Sequence, residues 1–188
     1  MPGSVPTVPD GAADHPPLFD YPMTNDGDGP DETGEPIDEE TERVRLESVE
    51  EYLKHLRRSN PYYDWLEPDL LTVERGFVRL RQPVSDRTRP PEVGPAEGIN
   101  GGILMTLADA AAMAAIIADA LEPVPLATTR IDMSFHDGGD EPHVVQADVI
   151  DFGSTLATAR VEVLPESDLD DPDPRLFASG EATARLFE

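Results

Sequence analysis

The chain carries 39 Asp and Glu against 14 Lys and Arg over 188 residues, a formal net charge of −25, and has no cysteine. That length allows one compact domain plus a tail. Without cysteine there are no disulfides, thiolate metal sites or cysteine nucleophiles, and without a basic patch nucleic acid and anionic membranes are poor partners.

In chain order, residues 1–40 hold 8 of the 20 prolines and few large hydrophobes, so a disordered acidic tail is expected there and a domain over 41–188. Residues 1–42 supply 12 acids and no base, and Lys54 is the one lysine of the chain. Such a composition suits a salt-saturated, halophilic cytoplasm, where screening relieves self-repulsion, or an acidic protein from a GC-rich genome. The N-terminus has neither the basic start nor the apolar run of a secretory signal, so a cytoplasmic location is expected.

Val44, Leu46, Val49, Tyr52, Leu53 and Leu56 recur at helical spacing through Arg58, and Asn60-Pro61 stops that helix. Residues 70–75 and 77–84 read as two short strands around Gly76, and 85–97, with three prolines, as a loop. A helix over 101–121 follows, closed by Pro123 and Pro125. Its apolar run is long enough to raise a membrane span, but Asp109 and Asp119 inside it point to a buried core helix. Residues 126–135, 144–152 and 156–164 read as strands, 168–174 as an acidic loop, and 176–187 as the closing strand. A helix apolar on nearly every side must be surrounded, so the expected α+β architecture is an antiparallel sheet wrapped around it.

The chemistry concentrates between Glu97 and Asp109, where the chain reads Glu-Gly-Ile-Asn-Gly-Gly-Ile-Leu-Met-Thr-Leu-Ala-Asp. Gly101 and Gly102 open the helix, whose first N–H groups are unpaired and carry partial positive charge, a cradle for an oxyanion. They could equally be a turn that lets backbones pack, and Asn100 nothing more than an N-cap. Asp109 stands alone on an Ala, Leu and Ile surface, which is costly without a task or a partner. Either it is a base or nucleophile, or it bonds Thr106 one turn back or a distant arginine. Burial beside Leu107, Ala108 and Ala112 is expected to raise its pKa.

The register of Gly101, Gly102, Leu107, Ala108 and Asp109 resembles the hotdog-fold acyl-CoA thioesterases, in particular the phenylacetate-type (PaaI-like) branch. Asn60-Pro61-Tyr62-Tyr63, the strand from Thr128 to Phe135, Phe152-Gly153 and the stretch from Ala178 to Thr183 extend the likeness. The resemblance implies a hydrolase for acyl-CoA thioesters with aromatic or short to medium acyl groups, without metal or redox cofactor. It casts the Gly101 or Gly102 N–H as carbonyl donor, Asp109 as base or nucleophile and Thr128 as a helper. Asn100 stands where such proteins usually carry histidine, and their later Gly-Arg turn is Gly153-Ser154 here. CoA would then be held differently, by Arg87 and Arg89, or catalysis is reduced. A non-catalytic acyl-CoA-binding module is the alternative; a hydratase-like enzyme would need a histidine near Asp109, and there is none.

Gly102 and Asp109 lie seven residues apart, about 10 Å along a helix, so one carbonyl cannot touch both. A homodimer with shared sites, alone or paired into a tetramer, is therefore expected, and it is usual in the family resembled. Strict alternation along the strand after the helix would turn Ala127, Thr129, Ile131, Met133 and Phe135 to the core and leave Thr128, Arg130, Asp132 and Ser134 opposite. Tyr62, Trp65 and Phe77 are candidates to line an acyl pocket or simply to fill the core, and Arg130 to meet a CoA phosphate or a local acid. His136 and His143, in the acidic turn with Asp137, Asp140 and Glu141, read as turn residues rather than metal ligands.

Overall fold

The stop signal at Asn60-Pro61 works twice. Its backbone N–H donates to Leu56 O (3.1 Å) and ends helix α1 (Glu39–Ser59), while its side chain accepts from Tyr62 N (2.9 Å) and, with Pro61 in the first turn, starts a second short helix, α2 (Pro61–Leu66). That second helix was not expected from periodicity, because six residues are too few to show it. At its other end α1 is capped by Asp38, whose carboxylate accepts from Thr41 N at 3.0 Å. The structure, a computed structural model, describes residues 37–90 and 98–187. The tail expected over 1–40 falls almost wholly outside the described residues, as does the Pro-rich half of the 85–97 loop.

Strands β1 (Asp69–Glu74) and β2 (Phe77–Gln82) form a hairpin around Gly76. The long helix α3 (Gly101–Ala120) follows, then β3 (Leu126–Phe135), β4 (His143–Phe152), β5 (Leu156–Pro165) and β6 (Ala178–Leu186). All pair antiparallel in the order β1-β2-β4-β5-β6-β3, so β1 and β3 are the edges. The inner face presents Val78 against Ala147, Ala147 against Val161, and Ala159 against Ala182, all buried. Small residues on both sheet and helix bring α3 close against the strands, and α1 adds Val49 to the same core. This is the α+β helix-in-sheet architecture expected.

Enclosure of α3 is incomplete. Ten of its residues are buried, among them Leu107, Ala111, Ala115 and Ile116, and although the helix passes for a membrane span by length and composition, it is the core helix of this domain. One stripe stays half-open: Gly102, Thr106, Asp109 and Met113 recur at the helical repeat along a single line. That stripe runs beside edge strand β3, whose own residues are mostly exposed.

Candidate active site

Two loops fix the tip of α3. Asn100 N donates to Thr88 O at 2.7 Å, and Thr88 is itself buried and tied to Ser85. Gly98 adopts φ +93, and a Cβ there would stand 2.8 Å from Gly139 O, so the turn after β3 packs directly against the approach to the helix. Asn100 then caps the helix, its Oδ1 accepting from Gly102 N at 2.9 Å. The two N–H groups at the tip therefore differ. Gly102 N–H is occupied by Asn100, and Gly101 N–H, the first of the helix, has no hydrogen-bond partner among the described residues. The Phe135 ring lies 3.5 Å from where a Cβ on Gly101 would be, and half of it is exposed over that tip.

Asp109 sits on the half-open stripe. The full enclosure implied by its apolar neighbours is not what the fold builds, because Ala108 and Ala112 turn inward while Asp109 stays half-buried. Thr106 does not bond it; its hydroxyl donates to Gly102 O at 3.1 Å. The partner is Thr128, whose Oγ1 donates to Asp109 Oδ1 at 2.5 Å. Strict alternation placed Thr128 on the far face of β3, and the structure corrects this. Thr128 pairs with Ala184 and Arg130 with Thr183, so Thr129 is the extra residue of a β-bulge. The bulge turns Thr128 to the helix side while keeping Ile131 there, opposite buried Ala182, and sends Thr129 Oγ1 to Thr183 O at 3.1 Å. A bulge leaves no mark on hydrophobic periodicity, so Thr128 was identifiable through family resemblance alone.

Tyr63 is the site residue that sequence reasoning missed. Burial, and after it the negative charge of Asp109, hold its hydroxyl above the ordinary tyrosine range. It also lines a cavity of about 300 Å³ between α1 and α3, with Leu53, Leu56, Leu70 and Leu80. Tyr62, Trp65 and Phe77 do not line that space. Tyr62 and Trp65 stack on each other at 6.2 Å and are each 44% exposed, and Phe77 carries Arg79 over its ring at 5.0 Å.

The arginines considered for CoA phosphates each have a local partner: Arg87 bonds Trp65 O and Glu67, Arg89 bonds Asp140 at 2.5 Å, and Arg130 reaches Asp132 at 3.5 Å. The two histidines of the acidic turn part company. His136 Nε2 meets Ser179 Oγ at 2.8 Å, whereas His143 is buried, with Nδ1 against Glu141 O and its ring 4.5 Å from that of Phe177. Among the described residues no three His, Asp or Glu side chains converge as metal ligands.

The family model of the thioesterase superfamily matches residues 98–170, from the approach to the helix tip past the end of β5. A Halobacterium salinarum protein named as an inferred esterase is 31% identical over 115 residues, covering 60% of this chain and 75% of that protein. A crystal structure described as from the thioesterase superfamily aligns at TM-score 0.60 and 26% identity, covering 77% of this chain and 99% of the other. A Streptococcus mutans protein crystallised with acetyl-CoA shares the fold at TM-score 0.53 and 16% identity, over 64% of this chain and 88% of that one. The matched segment carries the helix tip, Asp109 and its threonine, and the sheet around them follows the same fold as these relatives: the chain belongs to the thioesterase superfamily and has its hotdog fold.

Proposed function

We propose that the protein is an acyl-CoA thioesterase that hydrolyses the thioester to free acid and CoA, working as a homodimer with sites shared between two chains. The observation that carries this reading is the pair formed by a Gly101 N–H at a helix tip, without a partner among the described residues, and a half-open Asp109 held by Thr128. The two groups are eight residues apart, about 12 Å along α3, so one carbonyl cannot use both from one chain. The stripe of α3 that includes Asp109 and the free edge β3 lie side by side, and a second copy laid against them would bring its helix tip toward this carboxylate. Gly101 N–H then polarises the carbonyl oxygen, and Asp109 of the other chain activates water or attacks the carbonyl carbon. Thr128 fixes which oxygen of Asp109 faces the substrate. An acyl-CoA substrate is supported by family membership and by the acetyl-CoA of the Streptococcus mutans protein; the phenylacetate-type branch is supported by the motif register.

The test is thiol release from a panel of aromatic, short and medium acyl-CoAs in high salt. Asp109→Asn, which keeps size and removes the base, is expected to lower kcat by about 10²-fold or more. Equal release by the two proteins sinks the reading. The non-catalytic alternative draws on Asn100 occupying Gly102 N–H, which leaves a single tip donor. It predicts thermal stabilisation by acyl-CoA with no thiol released by the wild type.

A further inference from the structure

Asp109 is followed on α3 by Ala110 and, one turn on, by Ala114, and both face the cavity of about 300 Å³ that Tyr63 also lines. We propose that this cavity is the acyl compartment of the site, that it takes aromatic or medium-length apolar acyl groups, and that Ala110 and Ala114 set its depth. The proposal rests on Asp109 acting at the thioester carbon, as argued above.

Position makes the first argument. Ala114 stands five residues beyond Asp109, about 7.5 Å along the helix. A chain attached to a carbonyl at Asp109 can run over the two methyl side chains into the space they leave. The pantetheine arm of CoA is far longer than that span and must depart the other way.

Wall chemistry makes the second. Leu53 and Leu56 of α1 with Leu70 and Leu80 of the first hairpin form apolar walls, so a short polar acyl group would leave them unfilled while a ring or medium chain covers them. A volume near 300 Å³ is at the small end for ligand sites. The charged lining comes from Lys54, Arg57 and Arg58 near the end of α1, with Asp69. A long alkyl chain would have to pass these charges, whereas a hydroxyl or carboxylate on the far end of a shorter one meets them favourably. Every wall residue other than the two alanines precedes residue 98, outside the segment matched by the family model, so selectivity here is set mainly by α1 and the first hairpin rather than by the matched segment.

The experiment compares kcat/KM for acetyl-, hexanoyl- and phenylacetyl-CoA in wild type, Ala110→Leu and Ala114→Leu. The expected result is at least a tenfold fall in the hexanoyl-to-acetyl and phenylacetyl-to-acetyl ratios when either leucine fills the floor. Leu56→Ala is expected to shift preference toward longer chains. Unchanged ratios in variants that unfold within a few degrees of wild type overturn the proposal, and if one alanine variant fails to fold the other decides. Should the wild type release no thiol from any acyl-CoA, the thioesterase reading fails, and the compartment is judged by binding instead. Thermal stabilisation by hexanoate or phenylacetate, lost in the leucine variants, sustains it; no stabilisation of the wild type overturns it.

Discussion

Asn100 and Gly101 show how two adjacent residues divide one helix end between structure and chemistry. Asn100 turns its side chain back to Gly102 N–H, and Gly101 N–H, without a partner among the described residues, is the donor proposed for the substrate. The donor can be removed without disturbing the helix, because proline is favoured at the first helical position and lacks only the N–H. Asn100, at φ −55 and ψ 131, already has the extended backbone that a following proline demands. Gly101→Pro is therefore expected to keep the thermal unfolding temperature within a few degrees and to lower kcat by about 10²–10³-fold; wild-type turnover in this variant would remove Gly101 from the mechanism. His143 is governed by burial, which pushes its pKa below the usual histidine value of 6.5, partly opposed by the Glu141 carbonyl. The fold holds it neutral, so its contribution to stability is complete above about pH 6.5 and is lost as the pH falls, once the unfolded chain takes up the proton more readily. Between about pH 8 and pH 5.5, Tm is expected to fall less for His143→Gln than for wild type. A parallel decline in both would show that histidine 143 does not set the acid limit.

Elements with strong periodicity were legible. The bounds of α3 and β3 to β5 and the end of α1 agree with sequence expectation to within a residue or so, because each has a long apolar repeat or an evident stop such as Asn60-Pro61 or Pro123, whereas α1 begins at Glu39, ahead of its first apolar residue Val44. What stayed hidden depended on backbone or on distance. The electrostatic influence of Asp109 on Tyr63 of α2 joins residues 46 positions apart, and nothing local in Tyr62-Tyr63 says which of the two rings is the more buried. The bulge at Thr129 was hidden too, although Thr128, Ile131 and Met133 all face the helix because of it. Deleting Thr129 would make Thr128 and Arg130 consecutive, as their partners Ala184 and Thr183 already are, and would leave Thr128 on the helix side. The hydroxyl is therefore tested directly: Thr128→Val keeps the β-branched shape and removes the donor to Asp109. The expected outcome is a folded protein with unchanged circular dichroism and kcat reduced about tenfold or more. Full activity in Thr128→Val would mean that the threonine hydroxyl does nothing for Asp109.

For the whole molecule, charge and symmetry pull against each other. Each chain carries −25, and bringing two together costs repulsion that salt must screen; at about 1 M ionic strength the Debye length shrinks to about 3 Å. Assembly, if two chains share their sites as proposed, is then the property most exposed to dilution of salt. The separation of Gly101 from Asp109 along α3 has a genetic corollary. If each reaction centre borrows one group from either subunit, Gly101→Pro and Asp109→Asn damage different halves of it. Mixed dimers of the two dead proteins then contain one centre that lost both groups and one that lost neither. Unfolded and refolded together in equal amounts, the pair should recover up to about a quarter of wild-type turnover, through complementation that neither could show if each centre belonged to a single chain.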